Sequence, residues 1–243
     1  MLSRAVWLTA ALALLGPALV VSRPAPPSLA PAVVLWAWER PVDLRGMPPG
    51  TGVAFLAQTI TIAKGSHLVS GRRQPLTVDP ATPLIAVTRI EAPGDAGSPD
   101  TDAIARAIAA THRLPRVTAV QIDFDARVSQ RALYRAILHA VRAGLPPGMP
   151  LAMTALASWC LDDNWLDELP VDEAIPMLFQ MGPDTDLVRR QWPWRTPAEK
   201  CRASVGISLA ERPPSGPKRP RTYVFNPGPW TGATVTAALE TRR

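Results

Sequence analysis

A chain of 243 residues that is 47% hydrophobic and 19% charged has length for one large domain or two small ones and apolar content for a real core, which excludes a disordered or fibrous protein. Its formal net charge is +6, yet the basic residues are scattered outside "RPPSGPKRPR" (212–221) and no aromatic residues interleave with them, which argues against a nucleic-acid partner. The 28 prolines predict many stiff loops and few long helices.

The N-terminus comes first in the chain and carries an address. "MLSR" is a short positive segment, and "AVWLTAALALLGPALVV" (5–21) is an apolar run broken by Gly16-Pro17. It falls just short of the roughly twenty residues of a comfortable membrane span. Residues 1–22 therefore read as a signal peptide, or as an N-terminal anchor if uncut. Residues 23–31 form a Pro-rich linker, and 32–243 are expected to make a single domain. The expected location is periplasmic or secreted, with inner-membrane anchoring through 5–21 as the alternative.

From there short apolar runs alternate with connections. "AVVLWAW" (32–38) reads as a buried strand ending at Glu39, and "GVAFLAQTITIA" (52–63) as a second, continuing across "KGS" into a hairpin at 67–72. "LIAVTRIEA" (84–92) is a third strand. "TDAIARAIAATH" (101–112) is a helix capped by Asp100 or Thr101. "VTAVQIDFD" (117–125) alternates strictly, apolar Val120, Ile122 and Phe124 against polar Gln121, Asp123 and Asp125, the period of a strand. A helix over 129–144, capped by Ser129, carries the stripe Leu133, Ile137, Leu138 and Val141. Strands at 151–159 and 173–181, a short helix at 184–192, strands at 203–210 and 222–228 and a helix from about Thr231 complete the order.

Eight strands in alternating order predict a small closed (β/α)8 barrel of the TIM type, with a β-hairpin replacing one early helix. A doubly wound open parallel sheet is the alternative, though its Gly-rich phosphate loop is missing after the first strand. In a barrel the 117–125 strand turns its apolar face to the helices and sends Gln121, Asp123 and Asp125 toward the axis. By the same logic Arg89 and Glu91 point inward and Glu39 closes the first strand, so one quadrant of the mouth gathers Glu39, Arg89, Glu91, Asp123 and Asp125. Two readings stay open: a structural Arg89–Asp123 ion pair with solvated neighbours, or a set of functional carboxylates. The chemistry that uses carboxylates without metal, nucleotide or histidine is glycosidic bond cleavage. Trp159, Trp230 and the Trp192/Trp194 pair end or follow strands, where indole faces stack on sugar rings.

Cys160 and Cys201 are the only cysteines, a disulfide in an exported chain or otherwise two buried thiols. His67, His112 and His139 lie far apart, and neither cysteine sits in a ligand spacing, so no metal or other cofactor is expected.

Over nearly all of 32–243 the sequence resembles a domain-of-unknown-function family of bacterial exported proteins, on "VVLWAWERP" (33–41), "VQIDFDA" (120–126), "TALASWC" (154–160) and "VDEAIPMLF" (171–179). More distantly, 118–125 is similar to the D-x-x-D-x-D-x-E strand of chitinase-like (glycoside hydrolase eighteen) barrels. In one register Thr118, Gln121, Asp123 and Asp125 take the four motif positions; in the other, Asp123 and Asp125 match two aspartates and Arg127 stands for the Glu. "MLFQ" (177–180) is similar to that group's M-x-Y-D, with Phe179 for Tyr and Gln180 for Asp, and Trp230 matches its sugar-stacking Trp. The departures fall on catalytic positions. The resemblance implies a barrel acting on envelope or extracellular polysaccharide, with Asp125 as proton donor, Asp123 beside it, Glu91 as the other carboxylate, and Glu39, Arg89, Gln121, Trp159, Gln180 and Trp230 as substrate contacts. The alternatives are a non-catalytic glycan-binding or scaffold barrel, and an anchored assembly factor using 212–221 against anionic lipid or polymer.

Overall fold

Apolar runs of five to eight residues cannot bury themselves alone, and here they cover both faces and pair with neighbours on both sides by closing a sheet on itself. The computed structural model describes residues 31–241. In chain order its strands are β1 (Val33–Ala37), β2 (Val42–Leu44), β3 (Thr51–Ala63), β4 (Ser66–Gly71), β5 (Leu76–Val78), β6 (Leu84–Glu91), β7 (Val117–Asp123), β8 (Leu151–Leu156), β9 (Glu173–Met177), β10 (Ser204–Ser208) and β11 (Arg221–Phe225). The helices are α1 (Thr101–Ala110), α2 (Arg131–Gly144), α3 (Ala157–Asp162), α4 (Thr185–Gln191) and α5 (Gly232–Glu240). The order β1-β11-β10-β9-β8-β7-β6-β3 is parallel throughout, and β1 also pairs with β3, which closes an eight-stranded α/β barrel. The open doubly wound sheet is thereby set aside.

Helices follow β6, β7, β8, β9 and β11. The other connections differ: β2 pairs with β5 in a separate two-stranded sheet between β1 and β6, and β3 turns back as a hairpin with β4, as the sequence predicts. Between β10 and β11 runs a Pro-rich strap (209–220) with no regular structure.

The faces sort as the alternation of β7 requires. Val120, Ile122 and Phe124 pack with Ile104 and Ile108 of α1 and Tyr134, Ile137 and Leu138 of α2, in the layer outside the barrel. Ala119 joins Val34, Trp36, Ile85, Val87, Ala152, Ile175 and Tyr223 inside it. Two registers slip: β6 against β7 between Leu84 and Ile85, at the entry to β7, and β3 against β6 between Leu56 and Gln58, where a one-residue bulge exchanges the faces of β3. Beyond the bulge Ile60 and Ile62 enter the outer layer and Gln58 bonds Thr88 and the Ala107 carbonyl.

Several boundaries move. The strands predicted to reach 159, 181 and 228 end at Leu156, Met177 and Phe225. Asp100 caps α1, its carboxylate accepting the Ala103 N–H, whereas Ser129 does not cap α2. Instead a 3-10 turn over Val128–Gln130 leads in, and the Gln130 side chain accepts the Arg127 N–H and donates to the Ala92 carbonyl.

Cys160 and Cys201 form a disulfide with their Cα atoms 5.9 Å apart, joining α3 to the segment before β10 across 41 residues. Closing a loop of that length restricts the unfolded chain. Cys160→Ala with Cys201→Ala is therefore expected to lower stability by about 2–4 kcal/mol, read as an earlier midpoint in chemical denaturation. An unchanged midpoint would make the bridge incidental to folding.

Candidate functional site at the barrel mouth

Backbone register alone brings the central pair together. Arg89 of β6 lies opposite Asp123 of β7, and Arg89 Nη1 donates to Asp123 Oδ2 at 2.6 Å. On the other side β8 presents Thr154, whose hydroxyl donates to Asp123 Oδ1 at 2.8 Å. Asp123 is thus buried with both oxygens engaged, the condition under which an ionised carboxylate is tolerated inside a protein. The same guanidinium reaches Glu91 through Nε at 3.4 Å and approaches Asp125 through Nη2 at 3.8 Å.

Asp125 follows β7, and its side chain is 60% exposed. Its carboxyl is nonetheless raised above the usual aspartate range. The surrounding protein thins its hydration, the Asp123 charge adds to the effect, and Arg89 opposes both. The two carboxyls differ: Asp123 is held between β6 and β8, whereas Asp125, just past the end of β7, is raised and keeps an open approach.

These two line a cleft of about 480 Å³ in the mouth. Its walls include Trp38, Arg89, Met177, Phe179, Gln180 and Phe225, with Asp184 from the segment after β9. Phe179 and Phe225 stack at 5.3 Å with an interplanar angle of 3°, and Trp36 meets both edge-on beneath. Trp38 packs against Phe225, and the Arg89 guanidinium lies 5.7 Å from its ring centroid. Gln180 holds a left-handed backbone (φ 49°), and its N–H is received by both Glu211 carboxylate oxygens at 3.2 Å. One layer below Asp123, Gln121 is wholly buried, and neither its amide nitrogen nor its oxygen has a hydrogen-bond partner.

The sequence-predicted residues thus divide. Asp123, Asp125, Arg89 and Gln180 share the cleft, with Gln121 beneath them. Glu91 sits on the rim, 49% exposed at its side chain, against the outer depression formed with Pro93, Arg127 and Gln130. Glu39 does not join them: its carboxylate accepts the N–H groups of Arg73 and Gln74 and fastens the loop after β4. Trp159 is not a platform either. It is 4% exposed in the outer layer, edge-on to Trp165 at 4.9 Å, with Arg131 over its ring. Trp230 donates its ring N–H to the Trp36 carbonyl at 2.8 Å and packs against the layer under α5. Its indole serves to pin the last turn. Of the Trp192/Trp194 pair, Trp192 is buried and Trp194 is 87% exposed.

Sequence reasoning missed Thr154, Asp184 and Phe225 as site residues. Thr154 and Phe225 were discoverable by parity, being inward positions of β8 and β11; Asp184 lies in an irregular segment and gave no periodic signal. Among the described residues no group of three or more His, Cys, Asp or Glu is placed to hold a metal ion, and no helix is long and apolar enough to cross a membrane. The signal or anchor segment 1–22 and all of the linker before Pro31 lie outside the described residues. No family model matches the sequence, and no curated protein or solved structure is significantly similar to it.

Proposed function

We propose that the protein is an exported TIM-type barrel related to glycoside hydrolases, which binds a polysaccharide in its mouth cleft and cleaves it with Asp125 as proton donor. The observation that carries this reading is the raised Asp125 carboxyl set over an aromatic floor. A proton donor must hold its proton near working pH, and loss of hydration, aided by like-charge proximity to a fixed neighbour, is one way to achieve that. Glycosidic cleavage also calls for a second carboxylate. Glu91 lines the neighbouring depression, and beside Asp123 and Asp125 the acidic side chain on the cleft wall among the described residues is Asp184. The floor of Trp38, Phe179 and Phe225 suits the flat apolar face of a sugar. The disulfide supports an oxidising compartment and hence export.

A second reading, a glycan-binding barrel without catalysis, draws on Arg89. One guanidinium contacts or approaches all three carboxylates of the quadrant and offsets the charge that acid–base chemistry would use. Incubating the oxidised protein with a panel of amino-sugar and neutral polysaccharides separates the two. New reducing ends support hydrolysis, binding without new ends supports the second reading, and neither result on any polymer overturns both. Trp38→Ala should weaken binding about two- to tenfold, the worth of one aromatic contact. Trp230→Ala, which removes an indole that lies outside the cleft, should leave affinity unchanged in chains that stay folded.

A further inference from the structure

The connection from β10 to β11 replaces the helix that would cover the barrel there. The strap over 209–220 carries Pro213, Pro214, Pro217 and Pro220, which supply no backbone N–H and hold fixed φ, so it neither coils nor collapses. It is fastened at three points. Arg189 Nη2 donates to the Arg212 carbonyl at 3.0 Å, and the Leu209 N–H to the Phe225 carbonyl at 2.9 Å. Gly216 lies so close to Trp192 that a Cβ there would sit 2.8 Å from the indole. Small and cyclic side chains fill little volume, and a hollow of about 430 Å³ is left beneath the strap. That is within the size range of small-molecule sites.

The walls of the hollow are apolar: Val205 and Ile207 of β10, Leu209 at the start of the strap, and Trp192. Its lip is cationic. Arg219 lies with its guanidinium 5.6 Å from the Trp192 centroid, has no carboxylate ion-paired to it among the described residues, and keeps a buried Nε without a hydrogen-bond partner. Burial and the nearby positive charge of Arg202 both disfavour the charged form of Arg219, and no carboxylate among the described residues pairs with it to offset that cost. Among the described residues Glu211 is the one acidic side chain on the wall, and its carboxylate is directed to the Gln180 N–H. Lys218 stands beside Arg219 on the same lip. An apolar chamber with an unmatched guanidinium at its lip is complementary to one kind of molecule.

We propose that this hollow binds a single-chain amphiphile with an anionic head, the chain against Val205, Ile207, Leu209 and Trp192 and the head on Arg219. The site is separate from the mouth cleft and does not depend on its function. Titration calorimetry of the full chain with dodecyl phosphate, below its micelle concentration, tests it. One molecule should bind per chain. Arg219→Gln should weaken binding about ten- to a hundredfold, the value of a charge-assisted contact. Leu209→Trp, which fills the chamber, should abolish it. If that variant fails to fold, the comparison of dodecyl phosphate with dodecyltrimethylammonium on wild type decides in its place, the cation binding at least tenfold more weakly (about 1.4 kcal/mol). Inorganic phosphate binding as tightly as dodecyl phosphate would reduce the site to an anion site and overturn the proposal. So would equal affinity for the cationic amphiphile, binding indifferent to Arg219→Gln, or attachment to anionic vesicles with no uptake of the single-chain probe.

Discussion

Asp125→Asn is expected to reduce polysaccharide hydrolysis by about 10²–10⁴-fold while leaving affinity nearly intact. The amide keeps the shape and hydrogen-bonding reach of the carboxyl but has no proton to give. The pH behaviour follows from the raised carboxyl. Wild-type cleavage should fall as pH climbs through the Asp125 pKa, because the donor is active in its protonated form. Stability carries the same sign. A carboxyl raised in the folded state binds its proton more tightly there than in the unfolded chain, so its contribution is fully present below the ordinary aspartate range and is lost as pH rises through the folded value. Asp125→Asn removes that loss. The variant should therefore be at least as stable as wild type at neutral pH, with the difference vanishing in acid. Reducing-end assays, calorimetric binding and thermal melts across pH check the set. Cleavage at the wild-type rate would remove Asp125 from the chemistry, and loss of binding together with cleavage would make it a structural contact.

The alternation of β7 makes much of this legible in the sequence, because a period of two admits only two assignments and burial selects one. Val120, Ile122 and Phe124 had to meet the helices, and the Arg89–Asp123 contact followed from two neighbouring strands at equal height. The disulfide was open to reading as well, once export was entertained. The failures share a different cause. Trp159 and Trp230 were placed by their position after strands, but a residue beyond the last ladder bond no longer has a face dictated by period. Trp159 falls in α3 and turns into the outer layer; Trp230 turns to a carbonyl. Glu39 likewise left the barrel axis two residues past the end of β1, where the amides of Arg73 and Gln74 take its carboxylate. The bulge in β3 carries no composition signal at all, and it sets which face Gln58, Ile60 and Ile62 occupy.

The largest stability effect belongs to the opposite end of the barrel. Arg221→Ala is expected to cost about 3–5 kcal/mol, the range for removing one member of a buried pair. Glu173 opens β9 at 2% exposure, and Arg221 opens β11; Arg221 Nη1 reaches both Glu173 oxygens at 2.7 and 2.8 Å, while its Nε donates to the Pro31 carbonyl at 3.1 Å. Tyr223, fully buried between them and the barrel interior, directs its hydroxyl to Glu173 at 3.5 Å. Burial raises the Glu173 carboxyl above the usual range, and Arg221 is the chief force holding it down. Without Arg221 that restraint is gone and the Glu173 charge at the barrel floor has lost its counter-ion, with the long Tyr223 contact remaining. The deficit must then depend on pH. A carboxyl raised in the folded state contributes stability in acid that is lost as pH rises, so Arg221→Ala should be most damaging at neutral pH and progressively less so as Glu173 takes up its proton. Replacing the pair together, Glu173→Leu with Arg221→Met, leaves no orphaned charge and should cost much less than the single change. Urea denaturation of the three proteins at neutral and acid pH decides the matter. A loss for Arg221→Ala below about 1 kcal/mol, or one that does not diminish in acid, would show that water reaches Glu173 and that the floor of the barrel is not sealed by this pair.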